Sequence, residues 1–336
     1  MLQGHGDDLM NYRDIRLNFS SNVYQHLYHE DLLCYLADHL DDISSYPQPR
    51  PQRLEAQLAP LLGVRSGEVC VTAGATEAIY LIAQTFRRSR TAVLQPTFSE
   101  YRDACQLHEH TLVDIYSLDQ IPERAEMVWL CNPNNPTGGV WDADKLLEVI
   151  DNHRDRLFVI DQSYADFTLL PVITPRQAAE RANVILLYSF TKRYTMPGLR
   201  LGYLVANDGL VSQLRLQLMP WTVNQVALNA ADYLLSHEEA FRLPVEELNE
   251  ERVRVAALLE RTGCIEVWPS DCHILLCRLR IGNASSLKKY LATEHGMLIR
   301  DASNFRGLDA GFFRIAVQSQ EDDDALVEAI EEWIAL

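Results

Sequence analysis

Between residues 68 and 205, short apolar runs alternate with longer helical patterns, and few folds accommodate that alternation. The runs are Glu68-Val69-Cys70-Val71, Thr91-Ala92-Val93-Leu94, Met127 to Cys131, Leu157-Phe158-Val159-Ile160, Val184 to Tyr188 and Leu201 to Val205. Helical patterns from about Thr76 to Arg88 and from Ala143 to Asn152 fall between them. Strands this apolar must be covered on both faces, and strands joined through helices pair in parallel. The expected class is α/β, with a mostly parallel sheet between helices.

The chain has 336 residues, which suits one large domain with a smaller satellite better than a single small core. From about Glu238 the pattern changes. A charged amphipathic stretch, Val245 to Arg261, leads to apolar runs at Cys272 to Cys277, Gly296 to Arg300 and Phe312 to Val317, and an acidic helix from about Gln320 to Trp333 closes the chain. This reads as a separate α+β domain. The expected organisation is an N-terminal segment over 1–45, a large domain over 46–235 and a small domain over 236–336.

A formal net charge of −17 argues against nucleic-acid binding, which needs basic patches. It leaves room for an anionic small molecule held by a few local Arg or His side chains. No apolar run approaches the roughly 18–20 residues that span a bilayer, so no membrane partner is expected. Met1 to Met10 is polar and lacks the apolar core of a secretory signal, so the expected compartment is the cytoplasm. The seven cysteines form no CxxC pair and several lie inside apolar runs. They read as reduced core thiols, and no metal site is expected.

Ligands of open α/β sheets sit at the carboxyl ends of the strands, so the polar residues there carry the functional signal. Thr72-Ala73-Gly74-Ala75-Thr76-Glu77-Ala78 joins a strand to a helix. Gly74 permits a tight turn, and the N–H groups of the helix start with the Thr76 hydroxyl can hold an anion; such a turn is also an ordinary connection. Asn132-Pro133-Asn134-Asn135-Pro136-Thr137-Gly138 follows the strand ending at Cys131 and is richer in polar turn residues than a simple turn requires. Asp161 ends another strand, with Tyr164 three residues on; it suits a helix cap or a protonated ring nitrogen equally well. Ser189-Phe190-Thr191-Lys192 follows the strand Val184 to Tyr188, and Pro197-Gly198-Leu199-Arg200 comes shortly after. Ser189, Thr191 and Arg200 can bind one phosphate and leave the Lys192 amine to attack an aldehyde.

These five motifs, in this order, resemble the fold-type-I pyridoxal-5′-phosphate (PLP) enzymes of the aminotransferase class I/II superfamily over residues 46 to 205. The resemblance implies the PLP-dependent transferase fold: a large PLP-binding domain with a mostly parallel, seven-stranded type of sheet, and a smaller C-terminal α+β domain to which the N-terminal segment contributes. It also implies roles. Lys192 looks like the Schiff-base lysine and proton shuttle, and Asp161 like the partner of the ring N–H. Asn135 and Tyr164 look like donors to the ring hydroxyl oxygen, and Phe98 like the aromatic stacked on the ring. Gly74, Ala75, Thr76, Ser189, Thr191 and Arg200 match the phosphate cup. Tyr46 matches a tyrosine that reaches the phosphate from the neighbouring subunit, which implies a homodimer.

A second resemblance covers nearly the whole chain and divides between two groups acting on phosphorylated substrates, threonine-phosphate decarboxylases of cobalamin biosynthesis and histidinol-phosphate aminotransferases. Gly4-His5-Gly6, Asn18-Phe19-Ser20-Ser21-Asn22, Met219-Pro220-Trp221-Thr222-Val223-Asn224, Leu298-Ile299-Arg300 through Asp309, and Phe313-Arg314-Ile315-Ala316-Val317 lean to the decarboxylases. The implied substrate residues are His5, Asn22, Asn224, Arg300 and Arg314. Two departures stand out: Asp7 replaces a glycine of the His-Gly-Gly opening, and Asp161-Gln162-Ser163 replaces Asp-Glu-Ala. The expected activity is that of a PLP-dependent lyase of the threonine-phosphate decarboxylase type, with transamination as the alternative. No segment resembles a DNA-binding domain.

Overall fold

The structure, a computed structural model, describes residues 8–336. A short strand β1 (Leu17–Asn18) precedes the main sheet. That sheet comprises β2 (Val69–Thr72), β3 (Arg90–Leu94), β4 (Thr111–Ile115), β5 (Met127–Cys131), β6 (Leu157–Asp161), β7 (Val184–Ser189) and β8 (Gly202–Ala206). Their order is β2-β8-β7-β6-β5-β3-β4. Neighbours are parallel except β8, which runs antiparallel to both β2 and β7.

Both faces of this sheet are covered, as its apolar strands require. Phe158 and Ile160 of β6 pack with Val128, Leu130, Val184 and Leu186 on one face. Val159 faces the other way, with Trp129, Cys131, Ile185 and Leu187. The two-residue period of a strand then puts Asp161 and Ser189, at the ends of β6 and β7, on the second face. This alternation collects the chemistry at one place.

Strand β4 lies outside the sequence reading. Thr111 and Val113 are exposed and Ile115 is buried. As the edge of the sheet it is covered less completely, so it carries no continuous apolar run.

The C-terminal part holds β9 (Ile265–Val267), β10 (Ile274–Leu279), β11 (Met297–Leu298), β12 (Arg300–Asp301) and β13 (Phe312–Ala316). Four of these form an antiparallel sheet in the order β12-β13-β10-β9. Leu248, Val255 and Leu259 of the helix Val245–Arg261, Leu287 and Leu291 of Ala284–Glu294, and Leu326 and Ile330 of Gln320–Ala335 bury its apolar side.

The N-terminal segment is shared between the two parts. Strand β1 pairs in parallel with β11, and Phe19 extends the pairing through its N–H to Leu298 (2.8 Å) and its carbonyl to the Ala316 N–H (2.9 Å). The following helix, Glu30–Asp38, instead lies against Gln225–Ser236, with Tyr35 and Tyr233 ring centroids 4.9 Å apart. Among the described residues no helix is long and apolar enough to cross a membrane. Five of the seven cysteines are buried thiols; Cys264 is half-buried, and Cys34 departs from the core expectation by lying exposed on Glu30–Asp38.

Candidate active site

A cavity of about 520 Å³ opens at the carboxyl ends of β5, β6 and β7. It is lined by Ala75, Thr76, Phe98, Asn135, Asp161, Tyr164, Ser189, Thr191, Lys192 and Arg200 from the main sheet and its helices. Arg300 and Arg314 enter from the C-terminal sheet and Asn22 from the N-terminal segment. The motifs, scattered over nearly three hundred positions, therefore meet in one place.

Lys192 sits in the single turn Phe190–Arg193 directly after β7. Its Nζ donates to the Ser21 carbonyl at 2.7 Å and lies 5.8 Å from the centre of the Tyr164 ring. Asp161 is buried, and its two oxygens accept from two neutral donors: Oδ1 from the Ser163 N–H (2.9 Å) and Oδ2 from the Tyr101 hydroxyl (2.7 Å). Burial raises the pKa of this carboxyl, while the hydrogen bonds from Ser163 and Tyr101 and the charge of Lys192 pull it back down. The Tyr164 hydroxyl accepts from Asn22 Nδ2 at 3.1 Å. Burial pushes its pKa up, so the phenol keeps its proton and can donate it to a ligand oxygen.

Arg314 on β13 lies directly across from Arg300 on β12, so two guanidiniums stand side by side on one wall. Arg314 is 3% exposed and donates to Asn135 Oδ1 and to the Ser20 carbonyl. Its pKa is lowered to about 9, chiefly by burial. An anion here would replace the neutral acceptors that now face a buried cation.

The opposite end gathers hydrogen-bond donors around a helix N-terminus. The helix Ala75–Thr85 begins at Gly74 with no side-chain cap, so its first N–H groups face the cavity with the positive end of the helix dipole. Gly74 has φ +88°, and a Cβ there would lie 2.9 Å from Arg200 Nη2. Gly202 makes room on the other side: a Cβ there would lie 2.7 Å from the Ala75 nitrogen. The Thr191 hydroxyl is buried and finds no hydrogen-bond partner among the described residues. A buried orphan hydroxyl, open helix N–H groups and a guanidinium around a glycine cradle suit a phosphate group.

Comparison with known proteins now becomes informative. Residues 14–330 match the family aminotransferase class I and II. The chain belongs to this family. A histidinol-phosphate aminotransferase of Caldanaerobacter subterraneus subsp. tengcongensis is 30% identical over 310 residues, covering 87% of this chain and 85% of that protein. The crystal structure of L-threonine-O-3-phosphate decarboxylase from Porphyromonas gingivalis superposes with a TM-score of 0.93 at 38% identity, covering 95% of this chain and 100% of that one. A histidinol-phosphate aminotransferase from Sinorhizobium meliloti, solved in complex with pyridoxal-5′-phosphate, shares the fold at a TM-score of 0.86 and 19% identity, covering 99% of this chain and 95% of that one. This aminotransferase class I and II chain is a PLP-dependent enzyme, and the cavity has the donors such a cofactor needs.

Three expected residues lie off the cavity wall, and a fourth falls outside the described residues. Gly74 leaves room for the Arg200 guanidinium, which a side chain at 74 would crowd. Asn224 is exposed; its Oδ1 accepts from the Ala227 N–H (2.8 Å), capping Gln225–Ser236, and its Nδ2 donates to the Leu199 carbonyl (3.3 Å). That cap explains the asparagine without a substrate. Tyr46 is 87% exposed and lies beside Trp221, ring centroids 5.6 Å apart. His5, with Asp7, lies outside the described residues.

The structure also brings in residues the sequence reading passed over. Tyr101 holds Asp161, and the backbone carbonyls of Ser20 and Ser21 hold Arg314 and Lys192. The position of Tyr101, three residues after Phe98, was a readable signal that the two lie close together, though not that Tyr101 reaches Asp161. The carbonyls were not, because every residue has one.

Proposed function

We propose that this chain is a PLP-dependent lyase of the threonine-phosphate decarboxylase type, which removes CO₂ from a phosphorylated amino acid. The observation that carries the reading is the 38% identity to the Porphyromonas gingivalis decarboxylase over 95% of this chain. The paired Arg300 and Arg314 support it, because a substrate bearing both a phosphate and a carboxylate calls for more than one cation. When bound, PLP supplies an aldehyde for attachment and an electron-withdrawing ring that accepts the electrons of a broken Cα bond.

The chain's own residues do the rest. Lys192 would provide the amine for the cofactor's aldehyde and would take up or give back a proton at Cα. The Asp161 carboxylate would hold the ring N–H, and Asn135 with Tyr164 the ring hydroxyl oxygen. Phe98 would cover the ring face. Ala75, Thr76, Ser189, Thr191 and Arg200 would hold the phosphate of the cofactor, while Arg300, Arg314 and Asn22 would orient the substrate. Arg314 and Asn22, on the cavity wall, would fix the orientation of the substrate carboxylate, and that orientation would decide which Cα bond is broken.

A second copy of the chain belongs to this reading. Tyr28, Leu33, Leu40, Ile43, Tyr46, Met219 and Trp221 are large apolar side chains left exposed around the N-terminal helices. Exposed apolar surface on this scale marks an interface, and a homodimer would carry Tyr46 towards the partner's phosphate cup.

Histidinol-phosphate transamination is the second reading, favoured by the 30% identical relative. A substrate panel separates the two. We expect CO₂ from threonine phosphate with no 2-oxo acid present, and loss of both that activity and the cofactor's visible absorption band in Lys192→Ala. Glutamate formation from histidinol phosphate and 2-oxoglutarate, without CO₂ release, would overturn the first reading.

A further inference from the structure

We propose that Tyr101 is a positioning residue for two contacts of the cofactor ring, at its edge and on its face: its hydroxyl fixes the Asp161 carboxylate, and its ring packs against Phe98. The inference rests on the assignment of Asp161 to the ring nitrogen and Phe98 to the ring face made above.

Tyr101 lies on the cavity-facing side of the helix Glu100–Leu107 and is 1% exposed. Its ring is stacked on Trp129, centroids 5.2 Å apart and planes inclined by 16°. Trp129 is itself fully buried in β5, so Tyr101 has no room to swing. In that pose it makes two contacts. The hydroxyl donates to Asp161 Oδ2 at 2.7 Å, and the ring meets Phe98 edge-on, centroids 5.8 Å apart at 84°. One rigid side chain therefore touches both the carboxylate that would meet the edge of the cofactor ring and the aromatic that would cover its face.

The chemistry of the donor matters. With the Ser163 N–H on Oδ1, a second donor on Oδ2 stops the carboxylate from rotating. Burial disfavours the charged form of Asp161, and a phenol donating to it restores part of that loss. An Arg or Lys in this place would hold the carboxylate harder but would cancel its charge and compete with the ring N–H for it. The phenol is neutral and stays so, since burial and the neighbouring carboxylate push its own pKa up. Asp161 thus keeps its negative charge for the ring nitrogen. A tyrosine present only to fill the core would give none of this.

The test uses the full-length holoenzyme loaded with cofactor labelled with ¹⁵N in the ring. Tyr101→Phe keeps the packing on Trp129 and Phe98 and removes only the hydroxyl. We expect the ¹⁵N signal to move towards that of an unprotonated ring, and the Kd for PLP to rise roughly tenfold, the loss usual for a hydrogen bond to a charged group. Replacing Tyr101 with 3-fluorotyrosine, a stronger donor of the same shape, should move the signal the opposite way and gives a readout should the Phe variant fold poorly. A ring nitrogen signal unchanged in both variants overturns the proposal. Asp161→Asn identifies which assignment failed. If that variant shifts the signal and the Tyr101 variants do not, only the role of Tyr101 is wrong; if it too leaves the signal in place, Asp161 does not face the ring.

Discussion

His273 shows how far a single residue can be set by its surroundings. It is fully buried, its ring stacked on Phe167 at 3.7 Å and 6.0 Å from that of Tyr164. Burial, with the charges of Lys192 and Arg314 adding to it, lowers its pKa from 6.5 to about 3. The folded protein therefore keeps His273 neutral at acidities where the unfolded chain protonates it. Between those two values the unfolded state binds the extra proton, so this histidine's share of stability is complete above pH 6.5 and is lost progressively as pH falls towards 3. Urea unfolding across this range should show wild type losing on the order of 1 kcal/mol per pH unit more than His273→Asn. Parallel curves for the two proteins would contradict that environment. At this scale the sequence was uneven. Lys192 and Asp161 were legible because each stands at the carboxyl end of a strand, and Arg200 because it completes the same ordered set just before β8. His273 was not, because a histidine before an apolar run looks the same whether it faces the core or water. Tyr101 needed the register of a helix against β6, which spacing alone does not supply.

At the scale of elements, the strand–turn–helix around Gly74 carries the proposed phosphate cup, and its geometry leaves no room for a side chain at 74. A side chain at 74 would strain a backbone at φ +88° and press on Arg200. Gly74→Ala should leave the fold largely intact, costing about 1–3 kcal/mol of stability, and weaken PLP binding by roughly tenfold or more, read by titrating the apoenzyme with cofactor. An unchanged Kd would mean that Arg200 does not hold the phosphate. Element boundaries were legible where the burial pattern was simple: the helix Ala143–Asn152 and the helix Val245–Arg261 both fall where periodicity put them. Strand β4 escaped because an edge strand is only partly covered and carries no continuous apolar run, and the cap role of Asn224 is not told apart by sequence from the substrate contact that the resemblance implies.

For the whole molecule, the division into a large α/β part and a smaller α+β part was readable from the change of pattern near residue 238, since a parallel sheet and an antiparallel one leave different periodicities. What the sequence could not supply is how the N-terminal segment ties the parts together: β1 pairs with β11, while the next helix packs on the large part. The exposed apolar surface on that same segment bears on assembly. Ile43 is 60% exposed within it, and Ile43→Glu should yield a monomer by sedimentation velocity with weakened cofactor binding, because Tyr46 would no longer reach a partner. A wild type that sediments as a monomer and binds PLP fully would refute the shared site. The reading as a whole stands or falls on which Cα bond is broken. A single turnover of the holoenzyme with carboxyl-labelled threonine phosphate, in deuterated water and without any 2-oxo acid, measures this directly. The account predicts that the label leaves as CO₂ and that one deuterium from solvent is found on the product's Cα; label retained in the organic product, with the amino group left on the cofactor, would contradict it.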